Sequence, residues 1–148
     1  RLTLGTLLLA QARLHGRDLN DAQRADLARL DEQLDETRSQ WRVAWGQKAG
    51  NEFQARLKLW RDYLNEYRED PDSNVDRYDY EVQRRVMLDL FSQDAEGVPA
   101  AHEEVLRGMD NMLRSVFVPG PFIWEPALET SFPRSTYWYL YGRPKKTE

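Results

Sequence analysis

The chain has 148 residues, of which 41% are apolar and 31% charged, so one domain can bury a hydrophobic core without disulfides or a structural metal. It contains no cysteine, which excludes disulfides, thiol catalysis and zinc–thiolate sites. Its net charge of −4, without any basic cluster, argues against nucleic acid as a partner, because nucleic-acid-binding faces are normally positive.

The first predicted helix runs from Thr3 to about His15 and ends at Gly16. Its apolar run, Leu2–Ala12, is too short to span a bilayer, so we expect no transmembrane segment there. In composition the run is similar both to the end of a signal peptide and to an ordinary core helix. We favour the core helix, because the run is still present in the chain.

Two further helices are predicted between residues 20 and 69. The first is capped by Asn20 or Asp21 and extends to about residue 48. Asn51 and Gln54 have the spacing of a capping box for the second, which ends before Pro71. Both helices carry an apolar stripe at helical spacing: Leu27, Leu30, Leu34, Trp41 and Trp45 on the first, and Phe53, Leu57, Trp60, Leu64 and Tyr67 on the second.

Gly46 and Gly50 separate these two stripes. A fold at the glycines would give an antiparallel helical hairpin, which we favour. The pairs brought together would be Trp45 with Phe53, Trp41 with Leu57, and Leu34 with Leu64. The alternative is one long helix that contains both glycines at a cost of roughly 1 kcal/mol each.

A fourth helix is predicted from Asn74 to Ser92, and a fifth from Pro99 to a point before Pro119, after a break at Gly97-Val98. Both carry apolar stripes, which predict that they pack against the earlier helices. The fold class is therefore all-α, an antiparallel helical bundle of four to five helices over residues 1–118.

Residues 119–148 differ in composition, because they hold five of the seven prolines and show no helical period. They predict an extended, aromatic arm that packs on the bundle or on a partner. Within it, Tyr137–Tyr141 alternates like a strand, for which no partner strand is predicted. Tyr and Trp dominate protein interfaces. The candidate partner-binding residues are Phe122, Trp124, Phe132, Tyr137, Trp138, Tyr139 and Tyr141.

The segment Asp70–Glu81, between two predicted helices, resembles the EF-hand calcium loop over its twelve residues. The resemblance implies calcium ligands at Asp70, Asp72, Asn74, Asp76 and Glu81. The sequence departs from the loop at Val75, where the loop has glycine, at Arg77, where it has an aliphatic residue, and at Pro71, and no second loop is found in the sequence. The same residues are also typical of one helix ending and the next being capped. Calcium is thus an alternative, and no cofactor is the main expectation.

No catalytic constellation is recognisable. His15 and His102 are far apart, and neither has a carboxylate at the spacing of a di-iron helix. The sequence therefore predicts a non-enzymatic interaction or structural module whose arm docks on a protein partner or on a second copy. The alternatives are a calcium-responsive bundle and a bundle that binds a small ligand in a pocket lined by Trp41, Trp45 and Trp60.

Overall fold

The computed structural model describes residues 3–94 and 99–146, and within them it is mostly helical. The α-helices of this part of the chain are α1 (Leu4–Gly16), α2 (Asp21–Gln40), α3 (Arg42–Glu69), α4 (Pro71–Asn74), α5 (Tyr78–Asp94) and α6 (Ala100–Val116). Two short strands follow, β1 (Phe117–Phe122) and β2 (Tyr141–Pro144). The mainly helical prediction is confirmed, and the small sheet corrects the all-α assignment. The predicted break at Gly97-Val98 lies outside the described residues.

The chain bends at Trp41 and not at the two glycines. Trp41 alone separates α2 from α3, with φ −115° and ψ 38°. Gly46, Gly50 and Asn51 all lie inside α3, so the predicted hairpin turn and the predicted cap at Asn51 are wrong. The physical reason is that a glycine inside a helix costs only about 1 kcal/mol. Burial of the α3 stripe outweighs that cost.

The core is centred on α3 and α5. The predicted α3 stripe, from Phe53 to Tyr67, is buried throughout, with Trp60 fully inaccessible. On α5, Tyr78, Val82 and Phe91 have no exposed surface. Both helices therefore turn a continuous apolar face inward, as their 3.6-residue period predicts.

The N-terminus of α1 is held against α3 by a carboxylate. The Glu52 side chain accepts hydrogen bonds from the backbone N–H groups of Leu4 and Gly5, each at 3.1 Å. These N–H groups belong to the first turn of α1 and have no partner within that helix. Gly5 also lets α1 approach α5, because a Cβ there would lie 2.8 Å from Cζ of Phe91. The predicted first helix is thus a core helix, from Thr3 onward.

The C-terminal arm folds back on the helices and pairs with its own chain. β2 is antiparallel to β1, with Phe117 opposite Pro144 and Val118 opposite Arg143. Trp138–Leu140 is a 3₁₀ turn, so the predicted strand over Tyr137–Tyr141 is wrong, and a strand begins only at its last residue. Since β1 supplies a partner, the strand is not left unpaired.

Candidate functional site

The aromatic residues proposed for partner binding lie largely in the core of their own chain. Phe132 and Tyr139 have no exposed surface, and Tyr137 and Tyr141 are also buried. The remaining three, Phe122, Trp124 and Trp138, are half-buried. In this fold the arm therefore closes the helical core, and its buried rings are not available to a partner.

The polar atoms of these rings are hydrogen-bonded within the chain. The Tyr141 hydroxyl donates to the Phe132 carbonyl at 2.7 Å, and the Tyr139 hydroxyl donates to Asp89. Trp124 donates its Nε1–H to the Asp79 carbonyl at 2.9 Å. Burial also raises the pKa of Tyr139 well above its ordinary value. These bonds satisfy groups that would be costly to bury alone.

A buried ionic network joins α5, α6 and the arm. Arg85 on α5 donates from Nε and Nη2 to the carboxylate of Asp110 on α6, at 2.9 Å each. Its Nη1 lies 2.9 Å from Oδ1 of Asp89, and its guanidinium lies over the Tyr139 ring, 4.6 Å from the centroid. Each charge in the network faces an opposite one, which is the arrangement that a buried ion requires.

The predicted calcium ligands are not gathered around a common point. They lie instead before α4 (Asp70), on α4, on the 3₁₀ turn Val75–Arg77 and on α5. Asp70 caps α4 by accepting from the Ser73 N–H and hydroxyl, and Glu81 is paired with Arg77 and Arg84. Asp76 is paired instead with Lys146, at 3.8 Å. No group of three or more His, Asp or Glu residues suited to a metal occurs within residues 3–94 and 99–146.

This geometry corrects the EF-hand interpretation. The Asp70 side chain accepts two hydrogen bonds from Ser73, which lowers the pKa of Asp70. Asn74, expected at the centre of the loop, donates its amide to the Glu66 and Asp70 carbonyls. Asp-Pro therefore ends one helix and starts the next, and the acidic residues are used in caps and ion pairs.

The three tryptophans proposed as a ligand pocket are also separated. Trp41 at the bend is 59% exposed, whereas Trp60 is fully buried in the core. Trp45 is half-buried, with the Arg38 guanidinium 5.1 Å from its ring centroid. Because the glycines do not form a turn, Trp45 lies two helical turns from Phe53 on the same helix and not beside it. The predicted tryptophan-lined pocket is wrong.

α2 is an outer helix with little attachment to the core. Its only buried side chains among the described residues are Leu27 and Leu34, and neither belongs to the main core cluster. One carboxylate adds a polar attachment to α1, since Asp31 accepts from Gln11 at 2.7 Å and lies 2.8 Å from Nε2 of His15. The end of α2 and the start of α3 thus lie at the margin of the molecule.

A groove runs along α3 on the side next to α6. One cavity of 620 Å³ is lined by Val43, Gly46 and Gly50, among others. A second, of 480 Å³, is lined by Leu57, Lys58 and Arg61 and, from α6, by Val105. The two cavities form one groove, because they share three lining residues, Asn51, Gln54 and His102.

The floor of this groove at Gly46 and Gly50 is open. A Cβ built on either glycine would meet no atom within 4 Å in the described part of the chain. The Val43 side chain nearby is 76% exposed. His102 is stacked on Phe53, with ring centroids 6.4 Å apart, and so joins the groove wall to the core.

Sequence reasoning missed this groove, although a signal was present. The pair Gly46 and Gly50, four residues apart within an apolar pattern, was interpreted as a turn. Inside a helix the same spacing places both glycines on one face. Another backbone can approach closely at these two positions, because glycine has no side chain.

No helix of the described residues has both the length and the apolar character needed to cross a membrane. Comparisons with models of protein families, with curated proteins and with solved structures found no match to this chain.

Proposed function

We propose that this chain is a non-enzymatic protein-interaction module built on a helical bundle. Its binding surface is the bend surface, which we define as Trp41, Val43, Gly46 and Gly50. The observation that carries the proposal is the 76% exposure of Val43 on the same face of α3 as Gly46 and Gly50, with Trp41 at the adjoining bend 59% exposed. Trp is enriched in binding hot spots, which makes the exposed Trp41 a candidate anchor for a partner.

The position of the bend surface supports the proposal. It lies where α2 meets α3, and α2 has only two buried side chains, so a partner could cover this margin without displacing the core. The aromatic arm, by contrast, uses its rings and hydroxyls inside the chain. We therefore propose that the partner binds the bend surface and not the aromatic arm.

The placement of the ionisable groups favours binding over catalysis. Arg85, Asp89 and Asp110 pair with one another between α5 and α6, and none of them lines the groove. Glu81 is paired with two arginines. These charges are held in structural pairs, whereas the groove is lined by glycines, amides, apolar side chains, cations and one imidazole, that of His102, which is stacked on Phe53.

A photo-crosslinking amino acid at position 43 tests this proposal in the native extract. The matched control is position 118, because Val118 on β1 is another exposed valine, at 55%. We expect a discrete crosslinked partner from position 43 and none from position 118. Trp41→Ala should reduce that crosslink without changing the melting temperature. No crosslink at 43, or equal crosslinks at both positions, would count against the bend surface.

A further inference from the structure

The groove is long enough for an extended occupant. Its lining follows one face of α3 from Arg42 to Arg61, through residues at successive turns. At 1.5 Å of rise per residue this is roughly 28 Å, the length of a helix of about 18 residues. A small anion or a single side chain would fill only a fraction of it.

Gly46 and Gly50, which line the groove, favour a helix as the element that binds there. Gly46 and Gly50 lie one turn apart on α3, and a Cβ on either would have no atom of the described residues within 4 Å. Flat faces of this kind allow two helix backbones to pack closely. Val43 at one end, and Val105 from α6 nearer the other, give apolar contacts for the inner face of a docked helix.

The charges of the groove are of one sign. Arg42, Lys58 and Arg61 line it, and none of the lining residues that the structure describes is acidic. Many other arginines of the chain, among them Arg77, Arg85 and Arg143, are paired with carboxylates. For Lys58 and Arg61 no ion pair occurs among residues 3–94 and 99–146. A docked helix with carboxylates along its edge would complement them.

Resting on the proposed function, we propose that the groove binds an amphipathic helix with acidic flanks, supplied by a partner protein. The apolar face of that helix lies over Val43, Gly46 and Gly50. Its carboxylates face Lys58 and Arg61. This is the helix-in-groove mode of recognition, in which apolar anchors recur at three- and four-residue spacing.

The test is a selection from a displayed library of helix-forming 18-residue peptides on the immobilised full chain. We expect the enriched peptides to be acidic, with apolar residues at i, i+3 or i+4, and i+7. Lys58→Glu with Arg61→Glu should weaken their binding at least tenfold. The matched control, Arg24→Glu with Arg107→Glu, reverses two exposed charges outside the groove and should change affinity less than twofold.

A steric variant gives an independent readout. Gly50→Leu fills the groove, and we expect the melting temperature to stay unchanged or to rise, because no atom of the described residues lies within 4 Å of a Cβ at this position and leucine favours the helix. We expect at least tenfold weaker peptide binding. Enrichment of basic or proline-rich peptides, or of none, would overturn the acidic-helix assignment, and crosslinking at position 43 would still test the proposed function separately. If sedimentation shows a dimer of the full chain that Gly50→Leu dissociates, the occupant is a second copy and the assignment to a partner protein is overturned.

Discussion

Arg85 on α5 and Asp110 on α6 form a two-point ion pair, with Nε to Oδ1 and Nη2 to Oδ2 both at 2.9 Å. The Arg85 side chain is only 7% exposed, so its charge is almost fully withdrawn from water. Asp89 lies against the remaining terminal nitrogen. The pair joins α5 to α6.

Removing one partner of this pair should be costly. Asp110→Ala leaves the buried guanidinium with Asp89 alone, and we expect it to lower the free energy of unfolding by about 3 kcal/mol. Replacing both partners, with Arg85→Met and Asp110→Leu, should recover most of that loss, because the buried guanidinium is gone and the Asp89 carboxylate that remains is partly exposed and keeps its hydrogen bond from Tyr139. Urea unfolding of the two single variants and the double variant measures the coupling. A loss under about 1 kcal/mol for Asp110→Ala would show that the pair contributes little.

The buried tyrosines should make the fold sensitive to alkali. Burial raises the pKa of Tyr63, Tyr78 and Tyr139 above the ordinary value. In the unfolded chain tyrosine ionises near pH 10, while these side chains stay protonated in the folded protein. The unfolded state then binds fewer protons, so stability is fully present below about pH 10 and falls as the pH rises further.

Unfolding free energies between about pH 8 and pH 11 check this dependence, with the ultraviolet absorbance of tyrosinate as a second probe. We expect these tyrosines to ionise together with unfolding, in one cooperative step. Their gradual ionisation in a protein that stays folded would contradict the burial described above.

The glycines should respond to substitution in opposite directions. Gly46→Ala and Gly50→Ala should each raise the free energy of unfolding by about 0.5–1 kcal/mol, because both lie in α3 with open space around them. Gly142→Ala is the contrasting variant. Gly142 has φ +131°, and a Cβ there would lie 2.2 Å from the Val118 carbonyl oxygen.

We expect Gly142→Ala to lower the free energy of unfolding by at least roughly 1–3 kcal/mol, the range for a strained backbone position. Thermal unfolding of the three variants side by side measures the contrast. Destabilisation by Gly46→Ala or Gly50→Ala would mean that α3 is not a regular helix at these positions.

Ending the chain after Val118 should abolish cooperative folding. The deleted residues include Phe132, Tyr139 and Leu140, which have no exposed surface, and their loss would uncover the apolar faces of α3 and α5. Near-ultraviolet circular dichroism should lose its signal and the thermal transition should broaden. A truncated chain with a sharp transition near that of the whole protein would show that the arm is dispensable for the core.

The helices and their inward faces could be predicted from sequence, because burial imposes a 3.6-residue period. Phe53, Leu57 and Trp60 illustrate this, since all three were expected inside and are buried. Asn20, one of the two caps predicted for the second helix, does cap it, and the first helix starts at Leu4, one residue after its predicted start at Thr3, which caps it.

The bend at Trp41 was not predictable in this way. A glycine pair costs only about 2 kcal/mol inside a long, well-packed helix, which is too little to decide where the chain turns. The packing of the arm on its own helices could not be predicted either. The aromatic content indicates that Tyr137 and Tyr139 are buried, but it does not indicate whether the helices of the same chain or a partner bury them. The groove could not be predicted because its shape depends on how α6 packs beside Gly46 and Gly50, and a local sequence pattern contains no information about that packing.

The contact between α1 and the arm has a consequence for synthesis. A Cβ on Gly16 would lie 2.8 Å from Oγ of Ser131, and the Tyr78 hydroxyl donates to the Tyr139 carbonyl. α1 therefore rests on a segment that the ribosome makes more than a hundred residues later. During translation the core stays incomplete until the arm has been made, because Phe132, Tyr139 and Leu140 belong to it. Until then the apolar surface that these residues cover stays exposed.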